Sequence, residues 1–443
     1  MNFLNDTLPL DLPLANSSII KVIGVGGGGG NAVNHMHSQG IADVSFVVCN
    51  TDNQDLERSS VPIKVQLGKD ITQGLGAGGD PEIARQAAEE SIEDIQNMLA
   101  DNTKMVFITA GMGGGTGTGA SPVIARVAKK MNILTVGIVT IPFAFEGKRK
   151  IRQALGGVVA LSEFVDAILV INNEKLKLIY PDLGLDNAFA KADDVLTNAA
   201  KAIAEIITIP GYINTDFADV NTIMRDGKVA IMNTGFASGE NRITKAIEDA
   251  LNSPLLNTND VKGAKKVLLS LYCSRENIIK MEEISQIHDF MASVGEDVTV
   301  IWGASYDEEL KDQVKITLIA TGFDVKDIPG MPASMIKHLH NEEKEDTDVE
   351  VEQENLPFDE ELEEQKKSAE AEINKAMGEL YGSSIKQPEQ PESTKDEDVL
   401  QGAIPFDDLE ANENTQIIDI SDLYDDEELH KLEKIPAWKR KKK

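Results

Sequence analysis

The segment Gly111-Met112-Gly113-Gly114-Gly115-Thr116-Gly117-Thr118-Gly119 places six glycines in nine residues, with two threonines among them. Without a Cβ, glycine leaves backbone N–H groups open, and the hydroxyls add donors or could reach a phosphate-bound Mg²⁺. Such a string is a cradle for a phosphate chain. The apolar run Met105 to Ala110 before it reads as a buried strand. Ser121 to Met131 after it, with Pro122 near the start, reads as a helix whose N-terminus adds positive dipole character. No G-x-x-x-x-G-K-[ST] pattern occurs, so this is not a Walker A loop. Its candidate phosphate contacts are Gly113, Gly114, Gly115, Thr116, Gly117 and Thr118.

A second string, Gly26 to Gly30 followed by Asn31, leaves the apolar run Ile19 to Val25 and enters a helical pattern from Ala32. Gly27, Gly28, Gly29, Gly30 and Asn31 are its candidates. Alone it also fits a dinucleotide fingerprint, Gly24-x-Gly26-x-x-Gly29, with Asp52 placed after the next strand (Val44 to Cys49) for a ribose. That alternative, an NAD-dependent oxidoreductase, needs one such turn. A second glycine segment about 85 residues later suits a nucleotide held from both sides. A third cluster, Gly74 to Gly79 with Gly78 inside it, precedes Asp80 as N-cap, Pro81 as the first helical residue, and one amphipathic helix from Glu82 to Leu99. Phe143 to Lys150 closes the buried strand Leu134 to Pro142 with aromatic, acidic and basic residues, among them Glu146 and Lys150. Phe189 and Asp193 stand four apart on a long helix, Leu185 to Ile209, and share a face; Pro210-Gly211 ends that helix. In Asn214-Thr215-Asp216-Phe217-Ala218-Asp219-Val220 the acids read, taken alone, as caps of a helix running to Asp226.

These residues need a scaffold of buried strands alternating with helices. The first half supplies it in Ile19 to Val25, Val44 to Cys49, Met105 to Ala110, Leu134 to Pro142 and Ala167 to Ile171. Beyond the long helix, strand-like runs recur at Val229 to Asn233, Lys266 to Cys273, Val298 to Gly303 and Val314 to Thr321. Helices at about Glu240 to Asn252 and Met281 to Val294 give a smaller α+β unit of βαβ-like alternation. No metal-ligand cluster is evident, and His288 stands alone. Of the net charge of −31, residues 341–430 carry −25, from 31 acids against 6 lysines with only four aromatics. That composition predicts a solvated, disordered segment, and the remaining balance disfavours nucleic-acid binding. Cys49 and Cys273 sit in apolar runs and read as buried free thiols of a reducing cytosol. The N-terminus has no basic region of a signal peptide, and no apolar stretch reaches the ~18–20 residues of a membrane span.

GGGTGTG with its flanks, Thr109 to Ala120, resembles the signature of the tubulin/FtsZ superfamily of GTPases, in particular its bacterial cell-division branch. The five glycines with Asn31, the third cluster, F-x-F-E-G at Phe143, and N-x-D-F-A-D at Asn214 resemble further motifs of that family in order, over about residues 18–323. The resemblance implies a tubulin-like α/β fold: an arm (1–17), a GTP-binding domain (18–184) with a mostly parallel sheet, a central helix (185–209), and a GTPase-activating domain (210–323). A disordered acidic linker (324–428) and a docking peptide (429–443) would follow. It implies GTP/GDP and Mg²⁺ as ligands, the metal held through nucleotide phosphates. Gly78's segment would sense the γ-phosphate, Glu146 contact the ribose, Asn173 read guanine and Phe189 stack on the base. Asp193, an acceptor-only carboxylate, would match the guanine N1–H and amino donors and mismatch adenine.

Asp216, Asp219 and Asn214 would be supplied in trans to the next subunit of a head-to-tail filament that forms the division (Z) ring at the septum. The implied location is cytoplasmic, at the inner face of the membrane. The tail, with Ile435, Pro436, Trp438, Lys439 and Arg440, resembles the family's docking motif for membrane-anchoring and regulatory division proteins. Departures are Gly79-Asp80 for the usual Ala-Asn, Lys150 in an arginine's place, Asn172 for a proline, and Thr215 for an aliphatic residue. A structural paralogue with little hydrolysis is a further alternative.

Overall fold

The computed structural model describes residues 18–180, 182, 184–251, 263–295 and 298–324. The arm, the tail peptide and all but the first residue of the acidic linker lie outside them. In chain order the elements open with β1 (Ile20–Val25), α1 (Gly26–Gln39), β2 (Val44–Asn50), α2 (Asn53–Arg58), β3 (Ile63–Gln66) and α3 (Lys69–Thr72). Then come α4 (Pro81–Glu90), α5 (Ile92–Leu99), β4 (Met105–Gly111), α6 (Gly115–Lys130), β5 (Leu134–Ile141), α7 (Lys148–Ser162), β6 (Ala167–Asn172), α8 (Glu174–Ile179) and α9 (Leu185–Thr208). The last group is α10 (Phe217–Met224), β7 (Lys228–Ser238), α11 (Arg242–Leu251), β8 (Lys266–Cys273), α12 (Met281–Val294), β9 (Thr299–Tyr306) and β10 (Gln313–Phe323).

The strands form one ten-stranded sheet in the order β3-β2-β1-β4-β5-β6-β7-β10-β8-β9. From β3 through β6 every neighbour is parallel, so the C-terminal ends of β1, β4, β5 and β6 share one edge. Parallel strands joined by helices are covered on both faces, which is why β1, β4 and β5 read as continuous apolar runs. One core layer lies under α5, α6 and α7, the other under α1, α9 and α10. β6 and β7 join the halves through two residue pairs, Ala167 with Lys228 and Ile168 with Val229. Beyond them the alternation is not simply βαβ: β10 runs antiparallel to both β7 and β8, while β8 and β9 are parallel.

Both glycine strings differ from the loops expected of them. Gly26 to Gly30 form the opening turns of α1, and Gly115 to Gly119 those of α6, leaving Pro122 inside that helix. Glycine has poor helix propensity, but close packing decides here: a Cβ on Gly119 would stand 1.9 Å from the Pro81 carbonyl oxygen of α4. The helix expected over Glu82 to Leu99 breaks at Ser91, whose hydroxyl accepts the Gly68 N–H at 2.9 Å. Cys49 and Cys273 are buried and free.

Candidate guanine-nucleotide site

Helix termini leave backbone N–H groups without intrahelical partners, and a buried terminus needs something to receive them. α2, α4 and α10 receive aspartate caps from Asp52, Asp80 and Asp216. α1 and α6 have none: Val25 and Gly114 stand at their N-cap positions without a side-chain hydrogen bond. These two uncapped ends lie against each other. Gly26 adopts φ +71°, and a Cβ there would sit 2.9 Å from the Gly117 nitrogen. Two dipoles and two sets of free donors therefore converge on one place at the C-terminal edge of β1 and β4. Thr118 is partly spent holding this shape, its hydroxyl accepting the Gly113 N–H at 2.9 Å. Thr116 pairs instead with Thr51 at 2.8 Å. Thr51 escaped sequence reading, although a polar Asn50-Thr51-Asp52 run at a strand's C-terminal end marks where α/β folds place ligands.

The third glycine segment closes over the α6 end of this cradle. A Cβ on Gly115 would stand 3.0 Å from the Asp80 nitrogen. Gln153 of α7 joins the two segments, its Nε2 donating to the Gly79 and Gly114 carbonyls at 3.1 and 3.0 Å. On the opposite flank, α9 packs beside α1, linked by His35 Nε2 and Asp194 Oδ1 at 2.8 Å. Phe189 and Asp193 come together on this helix. Phe189 is 41% exposed and meets Phe143 edge-on at 5.3 Å, while Phe143 stacks on Phe145 at 5.0 Å. Burial raises the Asp193 carboxyl to about 6, with Asp194 reinforcing and His35 opposing the shift. Burial also works against the charge on Asp194, but hydrogen bonds from Lys191 and His35 outweigh it and hold that carboxyl below its usual range.

Asn173 is buried at the end of β6, and its Oδ1 has no donor among the described residues. A buried acceptor left open, like the acceptor carboxylate of Asp193, suits a purine rich in N–H donors. Glu146 and Lys150 do not stand free: they pair at 3.3 Å, and Glu146 also accepts the Phe143 N–H at 2.9 Å. Buried Glu174 accepts the Ala144 N–H at 2.9 Å and so holds this aromatic turn. Its role was not legible in sequence.

Asn214, Asp216 and Asp219 lie elsewhere. Asp216 accepts the Ala218 and Asp219 N–H groups at 2.7 and 3.2 Å, and Asp219 returns the bond to the Asp216 N–H at 3.0 Å. Asn214 accepts the Gly211 N–H at 3.1 Å. This capping box starts α10, after which the chain re-enters the sheet beside Ala167, the first residue of β6. Ile213 and Thr215, just before the acids, stand against Ala304 and Gly303 of β9, well removed in the strand order from β1 and β4, whose ends form the cradle. From Asp193 to the end of α9 at Thr208 the helix alone rises ~22 Å.

Two family models match the chain: the Tubulin/FtsZ family GTPase domain over residues 19–181, and the FtsZ family C-terminal domain over 228–324. The cell division protein FtsZ of Porphyromonas gingivalis is 58% identical over 308 residues, 69% of this chain and 67% of that protein. The protein of the same name from Coxiella burnetii is 46% identical over 327 residues, 73% of this chain and 84% of that one. Among solved structures, an empty FtsZ dimer from M. jannaschii superposes with a TM-score of 0.63 at 42% identity, covering 68% of this chain and 88% of its own. A GTPγS-bound protofilament of CetZ2 from Haloferax volcanii shares the fold, with a TM-score of 0.60 at 19% identity over 73% of this chain and 97% of its own. The dinucleotide-oxidoreductase alternative is not favoured. The chain belongs to the tubulin/FtsZ family, and within it to the FtsZ branch of GTPases that form filaments in cell division.

Proposed function

We propose that this GTPase cleaves its nucleotide only where two copies meet head to tail. One copy holds GTP in the double-helix cradle; the next contributes Asp216 and Asp219, with Asn214 ordering the turn that carries them. The observation behind this reading is the separation along the chain and the sheet: α9 continues ~22 Å beyond Asp193 before the acid segment begins, and the residues leading into that segment meet β9, at the far end of the strand order from β1 and β4. Acids set so far from their own nucleotide would reach one only if a second copy, shifted along the helix axis, supplied them. A carboxylate at the γ-phosphate orients or deprotonates the attacking water, an effect of ~10²–10⁴-fold. Unlike surfaces meeting by translation give an open filament.

Phe189 would stack on the base, Asp193 and Asn173 read guanine, and the α1 and α6 termini hold the phosphates, with Gly78's segment over the last of them. Mg²⁺ would be held through the phosphate oxygens of the nucleotide. With the nucleotide bound, the Glu146–Lys150 pair opens toward ribose and phosphate. No helix of the described residues is long and apolar enough to cross a membrane. We place the filament in the cytoplasm at the septal membrane, with Ile435, Pro436, Trp438, Lys439 and Arg440 docking division proteins that anchor it there. Phosphate release per subunit, measured against protein concentration, tests the reading. A threshold followed by a rise supports it; a rate per subunit independent of dilution overturns it. Asp219→Ala is expected to bind GTP and assemble while turnover falls at least a hundredfold.

A further inference from the structure

We propose that Gln153 is a positioning residue that makes the cradle discriminate a nucleoside triphosphate from a diphosphate. The inference rests on the nucleotide reading above and concerns the order of elements across the cradle. The base side is α9, which packs on α1; α1 abuts α6 through Gly26 and Gly117; α6 abuts α4 through Gly119 and Pro81. A phosphate chain running from the base across the α1 terminus therefore reaches α6 last, and its distal phosphate lies at the Gly114–Gly115 turn under the Gly79–Asp80 backbone. At this end Gln153 ties the two walls together, one Nε2 donating to Gly79 on one side and Gly114 on the other. An amide with both N–H bonds committed to carbonyls of separate segments fixes their spacing. The spacing decides whether their backbone donors converge on a third phosphate. The first two phosphates depend on α1 and α6 alone and do not need the strap.

Gln153 borders a cleft of about 550 Å³ between α4, α6 and α7, so an apolar side chain of similar size fits without forcing its neighbours apart. Gln153→Leu thus removes the two hydrogen bonds with little change in packing. Gln153→Glu keeps the shape but sets an acceptor-only carboxylate against two carbonyls.

The test uses the full-length protein, diluted below assembly, with GDP and a non-hydrolysable GTP analogue as probes in fluorescence-displacement titrations. For both variants we expect affinity for the triphosphate to fall on the order of tenfold, while affinity for GDP stays within about twofold of the parent. Retained GDP binding also certifies a folded site. An unchanged ratio of triphosphate to diphosphate affinity overturns the proposal, as does an equal fall in both, which would make Gln153 a support of the whole cradle. Failure of the parent protein to bind either nucleotide would overturn the site reading itself and this inference with it.

Discussion

Burial holds the Asp193 carboxyl near 6, so the free site favours its protonated form more than an exposed aspartate does. In the proposed site, guanine would offer only donors to this carboxyl and would require its anion. Nucleotide binding is then expected to expel a proton: affinity should be full above pH 6 and fall as pH drops through it, by about tenfold for each unit below. Titrations between pH 5 and 7.5 check this, and Asp193→Asn is expected to bind weakly and show no such slope. Phe189→Ala should weaken binding by about 1–3 kcal/mol, the worth of a base stacked on an aromatic ring. Asp216 and Asp219 serve both as caps and as the proposed in-trans acids, and Asp216→Asn separates the two roles. Asparagine caps as well as aspartate, so urea unfolding should be unaltered while turnover collapses. That Phe189 and Asp193 share a face was legible in the sequence because four-residue spacing on a helix fixes it; their assignment to a nucleotide came only with the family resemblance. Gln153 and Glu174 were not, because a polar residue in a helix gains its meaning only from the loops that fold against it.

At the scale of elements, long apolar runs between turns were readable: β1, β4, β5, β8 and α12 fall within a residue or so of their expected bounds. The four-residue strand β3 and the short helices α2 and α3 bury too few residues to leave a pattern. The glycine-built openings of α1 and α6 ran against propensity and were fixed by non-local packing. That packing is testable. Gly119→Val would drive a side chain into the Pro81 carbonyl and is expected to lower unfolding free energy by about 3 kcal/mol. Circular dichroism during urea unfolding measures it, and nucleotide affinity should fall in parallel because α4 carries the third glycine segment. The join of β6 to β7 was invisible in sequence, since two residue pairs across a 60-residue excursion have no local signature.

For the whole molecule, α9 is a helix of 24 residues, about 36 Å long, and in the proposed arrangement it separates the end that would keep the nucleotide from the segment that would carry the acids. A chain of such units has two dissimilar tips. If hydrolysis needs a neighbour's carboxylates as proposed, the last nucleotide at one of them would face solvent instead and stay unspent. A pair of subunits then completes a single working junction, a chain of many completes all but one, and the yield per subunit climbs with length toward a plateau. In that arrangement, polarity, a protected tip and length-dependent output would all follow from the reach of one helix.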